Sequence, residues 1–335
     1  MAGNQDNLFS VISSDSSGKA SKSIIISASR RTDIPAFYME WFMTRIEKGG
    51  FDVTNPYNGR ISLVTAMPED VHSIVFWSKN FGPFIHGGYG DLLQQKGYRL
   101  FFNFTINSEN PLLEPHVPPL SERLQQLAYL SDRMGGGCIH WRFDPVCFYR
   151  WGGGAIEDNL DDFGRIAEFA GGCDIRTCIT SFMDHYPKIK KRLRPLDGFS
   201  FVEPLDSVKI AKLREMEAVL TPFGIRLFTC CEQPLLEQLP ADSGIGKSAC
   251  IPGELLLRMF GGNLLLKKDS GQRVRQGCGC QASSDIGSYT DHPCYHNCLF
   301  CYANPRCPQA ISKPVINQVR CETRYEQGQG NRHQV

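Results

Sequence analysis

Short runs of β-branched and aromatic residues alternate along this chain with stretches of helical composition. Few of the runs show the strict polar–apolar alternation of a half-exposed strand, so they are typical of strands buried on both faces. Strands are predicted at 23–29, 61–65, 73–77, 99–105, 138–142, 175–181 and 225–230, and helices at 36–48, 120–134, 161–170 and 207–220. Helices between buried strands imply parallel crossovers, so the pattern predicts an α/β protein.

Nearly every main run ends in polar residues of kinds that take part in chemistry. The ends of the first, second, fourth and fifth main runs carry Arg30, Arg31, Asp33, Lys79, Arg142, Asp144 and Asp184. In a barrel the carboxyl ends of all strands meet at one mouth, whereas an open sheet brings together only the ends near its switch point. The sequence therefore predicts a TIM-like (β/α) barrel, complete or partial, and a doubly wound open sheet remains an alternative.

The charges at these strand ends predict a site for an anionic group. A guanidinium matches the oxygens of a carboxylate or phosphate, and a lysine adds a cation or an acid–base group. The alternative is that arginines and aspartates at the mouth only neutralise each other's buried charge. The residues predicted to bind or act on substrate are Arg30, Arg31, Asp33, Lys79, Arg142, Asp144 and Asp184.

The cysteine content indicates metal chemistry. The chain has fourteen cysteines, and residues 1–22 are polar and Ser-rich, unlike a signal peptide. No apolar run is long enough to span a membrane, so a cytoplasmic protein with no membrane partner is expected. In a reducing compartment, clustered cysteines favour metal binding over disulfides.

One cysteine cluster has the spacing of an iron–sulfur loop. It is Cys294-x3-Cys298-x2-Cys301, with the aromatic Phe300 directly before the last cysteine. Three thiolates can hold three irons of a [4Fe-4S] cluster and leave the fourth iron open for another ligand. The spacing resembles that of radical S-adenosylmethionine (SAM) enzymes, in which the open iron binds SAM. A zinc knuckle with a distant fourth ligand is the alternative.

Four further cysteines predict a second metal site. Cys278 and Cys280 lie in a Gly-rich turn just before the main motif, and Cys231 and Cys250 lie one segment earlier. They can hold either iron–sulfur or zinc. The alternative is that they are small buried apolar side chains, as free cysteines often are.

Segments 27–35, 76–80, 141–145, 181–184 and 278–280, together with the terminal cysteine motif, resemble the prokaryotic family called domain of unknown function 1848. The resemblance spans about residues 23–304 and implies a C-terminal cysteine cluster similar to that of radical SAM proteins. Residues 298–303 also resemble the cluster loop of the spore photoproduct lyase group, which points to nucleic-acid repair. The expected organisation is a tail at 1–22, a barrel at 23–270, a cysteine-rich segment at 271–311 and a flexible tail at 312–335.

The position of the motif departs from ordinary radical SAM enzymes, where the cysteine loop follows the first strand. A Gly-Gly-Glu segment for the SAM amino group is also absent from the sequence. The main hypothesis is a radical SAM-like enzyme acting on an unidentified anionic small molecule or nucleic acid, with flavodoxin or ferredoxin as electron donor. A SAM-independent barrel with a structural iron–sulfur or zinc site is the alternative.

Overall fold

The structure is a computed structural model that describes residues 23–56, 58–193, 196–269 and 276–302. The two predicted tails, at 1–22 and 312–335, lie outside the described residues. None of the helices within the described ranges has the length and apolar character that crossing a bilayer requires.

The described strands and helices follow one another in the alternation that the sequence predicts. The strands are β1 (Ile24–Ala28), β2 (Gly50–Thr54), β3 (Ile61–Thr65), β4 (Val71–Ser78), β5 (Leu100–Thr105), β6 (Ile139–Val146), β7 (Phe148–Trp151), β8 (Glu157–Asp158), β9 (Thr177–Phe182), β10 (Phe199–Phe201), β11 (Arg226–Thr229), β12 (Gly246–Lys247) and β13 (Ser284–Asp285). The α-helices are α1 (Ile34–Phe37), α2 (Met39–Glu47), α3 (Gly82–His86), α4 (Tyr89–Gln95), α5 (Leu120–Met134), α6 (Phe163–Gly172), α7 (Pro187–Leu193), α8 (Asp206–Leu220), α9 (Gln233–Leu236) and α10 (Gly253–Phe260).

The main sheet has eight strands in the order β12-β11-β9-β6-β5-β4-β1-β13, and all neighbours are parallel. From β1 to β12 the strands lie side by side in chain order. In a doubly wound sheet the order of the strands reverses at a switch point, and the strand order from β1 to β12 has no such reversal. The predicted α/β fold of the barrel type is confirmed, and the two short edge strands β12 and β13 add to the predicted main strands.

The helix α5 has the same bounds as its sequence prediction. Leu120, Leu124, Leu127 and Leu130 recur at helical spacing and are at most 4% exposed, so one face packs against the sheet. The predicted helix at 36–48 is instead two helices, α1 and α2, that meet at Tyr38.

The run at 61–65 is a strand, but it lies outside the main sheet. As β3 it pairs antiparallel with β2, and Ile61 and Leu63 are 71% and 73% exposed. A second small antiparallel sheet has the order β10-β7-β8. Apolar content predicted the strand β3 but could not show that its partner is a local hairpin strand.

The two faces of the main sheet pack against different parts of the chain. One face packs against the surrounding helices in the largest apolar core. On the other face, Ile25, Val75, Phe101 and Ile179 form a smaller core with Leu256 of α10. This inner core ends towards the carboxyl ends of the strands, where polar and cysteine side chains replace apolar ones.

Candidate active site

A cavity of about 300 Å³ lies at the carboxyl ends of the main strands. Its wall includes every residue that the sequence predicts for a site: Arg30, Arg31, Asp33, Lys79, Arg142, Asp144, Asp184, Cys231, Cys250, Cys278, Cys280, Cys294, Cys298 and Cys301. The strand ends therefore share one mouth, whereas the chemical roles of these residues stay predictions.

Asp33 connects three parts of the site and is only 6% exposed. Its Oδ1 accepts hydrogen bonds from Ala36 N at 3.0 Å, as the N-cap of α1, and from Ser78 Oγ at 2.7 Å. Its Oδ2 accepts from Lys79 N at 2.9 Å and lies 2.8 Å from Nε2 of His296. With these four contacts, Asp33 positions the site and has little capacity left to act on a substrate.

Arg30 and Arg31 are held by the last strand. Asp285 of β13 accepts from Arg30 N at 2.7 Å, and its Oδ1 lies 3.8 Å from Nε of Arg31. Arg30 also donates to Asp269 at 2.8 Å, and Arg31 to the carbonyl of Gly287 at 3.0 Å. The charge partners of these arginines are therefore Asp285 and, for Arg30, also Asp269, rather than the Asp33 that the sequence suggests.

Lys79 has a buried acidic neighbour, Glu114, in the loop after β5. Lys79 Nζ lies 2.5 Å from Glu114 Oε1, so the two side chains form a close ion pair. The Phe300 ring lies 5.3 Å away on the cysteine loop. Burial acts to lower the pKa of Lys79, but the Glu114 carboxylate outweighs it and raises this pKa. Lys79 is therefore a buried cation on the cavity wall.

The guanidinium of Arg142 contacts both a carboxylate and a thiol. Nη2 lies 2.5 Å from Asp144 Oδ2, and Nη1 donates to Cys250 Sγ at 2.8 Å. The hydroxyl of Ser181 also donates to Asp144. Burial opposes ionisation of Asp144, but Arg142 and Ser181 lower its pKa below the ordinary value. Arg142 and Asp144 therefore form an ionised, largely buried ion pair in the site.

Asp184 lies at the rim of the cavity, beyond β9. It accepts a hydrogen bond from the hydroxyl of Tyr186 at 3.2 Å. The ring of Tyr186 in turn lies 5.7 Å from that of Tyr302, directly after the cysteine motif. The neighbouring His185 pairs with Glu203 at 2.9 Å.

The cysteine loop is anchored to loops and helices that follow different main strands. Leu299 N donates to Leu113 O at 2.8 Å, Tyr38 Oη donates to Pro293 O at 2.5 Å, and Arg192 of α7 donates to the carbonyl of Cys298. The Cys298 thiol donates to Glu114 at 3.8 Å. Burial, followed by the charge of Glu114, raises the pKa of the Cys298 thiol. The loop thus closes one side of the cavity.

A second group of thiols lies where the two edges of the main sheet approach each other. Cys250 follows β12, Cys278 and Cys280 precede β13, and Cys231 follows β11. Cys230 Sγ lies 3.7 Å from Cys231 Sγ and 3.5 Å from Cys250 Sγ. Sequence reasoning included four of these cysteines and missed Cys230.

The other missed residues are Glu114, His296 and Asp285. Glu114 and His296 are 6% and 2% exposed, yet they lie in loops with no strand pattern to show that they are buried. Asp285 lies in the two-residue strand β13, which is too short to give a periodic signal. A usable signal was the position of His296 inside the cysteine motif, between Cys294 and Cys298.

Within the described ranges, no three His, Cys, Asp or Glu side chains surround a single point as the ligands of one metal ion do. The donor chemistry nevertheless fits a cluster, because each thiolate of a cluster binds a different iron. Fold and site together define an α/β protein of the barrel type with a cavity lined by cysteines and cations.

The chain belongs to the family described as a domain of unknown function, DUF1848, whose model matches residues 25–303. The resemblance predicted from the sequence is thereby confirmed. Among solved structures, the chain is similar to a sugar phosphate isomerase/epimerase from Parabacteroides distasonis, with 7% identity and a TM-score of 0.29 over 86% of this chain and 94% of that chain. A comparison with curated proteins found no match.

Proposed function

We propose that the protein is a radical SAM-like iron–sulfur enzyme that acts on an anionic substrate in the cavity at the strand ends. The observation that carries the proposal is that Cys294, Cys298 and Cys301 line the same cavity as Lys79 and the arginines. Three thiolates leave one iron of a [4Fe-4S] cluster open, and an open iron is useful only where a ligand can reach it.

The three cysteines of the loop would hold the cluster, which with bound SAM would supply one-electron reductive chemistry. The loop meets the requirement for a fixed position, because His296 and Leu299 connect it to Asp33 and Leu113. Burial raises the pKa of the Cys294 thiol, and Lys79 acts in the opposite direction on both Cys294 and Cys298. The nearby ammonium thus partly offsets the burial that keeps these two thiols protonated.

The cations of the cavity would bind the substrate. Lys79 pairs with Glu114, but its ammonium has three N–H donors, so an anionic oxygen in the cavity could accept a hydrogen bond from another of them. Arg31 is 19% exposed at its side chain and faces the cavity from the side of β1. Carboxylate and phosphate are the groups that such a pair would recognise.

A basic surface lies directly behind the cysteine loop and suits an acidic electron donor such as flavodoxin or ferredoxin. Lys188, Lys190 and Lys191 of α7 are exposed. Arg192 of the same helix donates to the carbonyl of Cys298. Complementary charge steers association, so a donor docked on α7 would lie close to the cluster.

The test is anaerobic purification with iron, sulfide and zinc analysis, followed by incubation of the reduced protein with SAM. We expect iron and sulfide in the wild type and formation of deoxyadenosine. Cys298→Ala should abolish deoxyadenosine, whereas Cys173→Ala, a half-buried thiol remote from the cavity wall, should leave it unchanged. An intact cluster without deoxyadenosine above the Cys298→Ala background would reject the enzyme proposal and favour a structural cluster.

A further inference from the structure

We propose that the protein holds a second iron–sulfur cluster, bound by Cys231, Cys250, Cys278 and Cys280 on a different part of the cavity wall. This inference does not rest on the chemistry proposed for the three-cysteine loop. A cluster bound by four cysteines has no open iron, so the second centre would transfer electrons rather than bind substrate.

Five thiols form a closed ring of contacts. Cys230 contacts Cys231 and Cys250 at 3.7 Å and 3.5 Å between sulfurs. Hydrogen bonds between thiols continue from Cys250 to Cys280, from Cys280 to Cys278 and from Cys278 back to Cys231. Segments far apart in sequence therefore bring their thiols to one place, which is the donor chemistry of an iron–sulfur site.

The backbone is shaped to bring these thiols together. Successive residues of an extended strand point to opposite faces, so Cys230 and Cys231 would ordinarily point apart. Cys231 instead has a φ of 65°, and the two sulfurs lie on the same side. Gly279, between Cys278 and Cys280, lies so close to the next segment that an added Cβ would be 2.5 Å from the carbonyl oxygen of Ser248.

Positive charge is directed at the ring. Nη1 of Arg142 donates to Cys250 Sγ at 2.8 Å, and the charge of Arg30 acts on Cys278 and Cys280. A guanidinium on a thiol is not needed if the thiol is a buried apolar group. It is the expected partner of thiolates, and hydrogen bonds to cluster sulfurs tune a cluster's reduction potential.

The other cysteines near the sheet lack this arrangement. Cys178 is buried in the main core among apolar side chains, and Cys138 and Cys173 pack against the same core. These residues fit the role of small apolar side chains. The ring differs by its number of thiols, by its arginine partners and by its place on the cavity wall.

The described thiols of the ring do not form a ready-made site for one metal ion. Within the described ranges, no three thiols of the ring already surround one point at ligand distance. Zinc in a structural site needs four ligands around a single ion, whereas a four-iron cluster places each thiolate on a separate iron. Cys230 contacts two of the proposed ligands and is left over as a fifth thiol.

The experiment compares full-length wild type with two variants, all purified anaerobically and reconstituted with iron and sulfide. The loop variant replaces Cys294, Cys298 and Cys301 with Ser, and the ring variant replaces Cys250 and Cys280 with Ser. We expect roughly eight irons per chain in the wild type and roughly four in each variant, because each site would hold one four-iron cluster. On reduction, the electron paramagnetic resonance signal left in the loop variant should not respond to SAM.

A folded loop variant without iron, or with zinc in place of iron, overturns the second cluster. Because that variant leaves the thiol ring intact, the result does not depend on whether the ring variant folds. If the loop variant itself fails to fold, a wild-type content of roughly four irons, all responding to SAM, overturns the proposal. If the radical SAM-like proposal fails instead, the paramagnetic resonance signal of the wild type should not respond to SAM. The iron of the thiol ring should still be present in that case.

Discussion

The Nε2 atom of His296 lies 2.8 Å from the carboxylate of Asp33, a residue 263 positions earlier in the chain. The other ring nitrogen, Nδ1, faces the carbonyl of His116 at 3.3 Å. This contact places the late cysteine loop over the end of the first strand β1. The loop thereby lies where a loop that directly follows the first strand would lie, although it comes at the other end of the fold.

Asp33→Ala should destabilise the protein by about 3 kcal/mol, because it removes a helix N-cap and several buried hydrogen bonds to a carboxylate. Urea denaturation measures this change in the free energy of unfolding. Asp33→Asn, which keeps an oxygen for the N-cap of α1, should cost less. Equal loss in both variants would contradict the capping role assigned to Asp33.

Lys79→Met should destabilise the protein by about 3–5 kcal/mol, because it removes the cation in direct contact with the buried Glu114 carboxylate. Glu114 is 4% exposed at its side chain. Adding Glu114→Gln to Lys79→Met should recover most of the loss, as shown by a double-mutant cycle in urea. Arg133→Ala, which breaks an exposed pair with Asp91, is the matched control and should change stability little.

The buried His140 should make the stability of the protein fall as the pH becomes acidic. Burial, followed by the charge of Arg142, lowers the pKa of His140 from 6.5 to about 3. Below pH 6.5 the unfolded chain therefore binds a proton that the folded chain excludes, so stability is present above this pH and is lost as the pH falls. The loss should approach ~1.4 kcal/mol for each pH unit below the unfolded pKa.

The measurement compares urea denaturation of wild type and His140→Gln at about pH 7.5 and about pH 5, where a difference of ~2 kcal/mol is expected from one histidine. The variant should show a correspondingly weaker decline towards acid pH. A decline of the same size in both proteins would show that His140 does not cause it.

Gly279→Ala should reduce iron content while keeping every cysteine. The added Cβ would lie 2.5 Å from Ser248 O, a backbone atom that cannot move aside alone, so the two segments must separate. We expect overpacking to cost about 1–3 kcal/mol and the thiol ring to lose its iron. Gly172→Ala, in α6 with nothing within 4 Å of its added Cβ, should leave iron content and stability unchanged or slightly raised. Wild-type iron content in both variants would contradict the predicted effect of Gly279.

Sequence patterns predicted the elements whose burial is periodic or continuous. The helix α5 and the strand β5 were recognisable because their apolar residues recur over several turns or form one run. The edge strands β12 and β13 have two residues each, so they show no period and were missed. Their pairing depends on tertiary contacts that a local window does not contain.

For the site, strand-end position was the informative signal. It selected Lys79 and Arg142, which do reach the cavity wall. It could not select Glu114, which lies in a long loop, nor Cys230, which contacts Cys231 only because Cys231 has a positive φ. Spacing alone also could not show that Asp33 already uses its carboxylate oxygens as acceptors.

The edges of the main sheet have a consequence for how metal would reach the buried thiols. β12 and β13 pair with their neighbours over two residues each, and the backbone contact from Gln281 N to Ile251 O, at 3.1 Å, joins the segments beyond them. Edge strands that pair over only two residues open locally at a smaller free-energy cost than the central strands. Local opening there would expose Cys250 and Cys280 to solvent while the helices around the sheet stay folded. The edge of the sheet would thus be an entrance for iron delivery, separate from the cavity through which substrate enters.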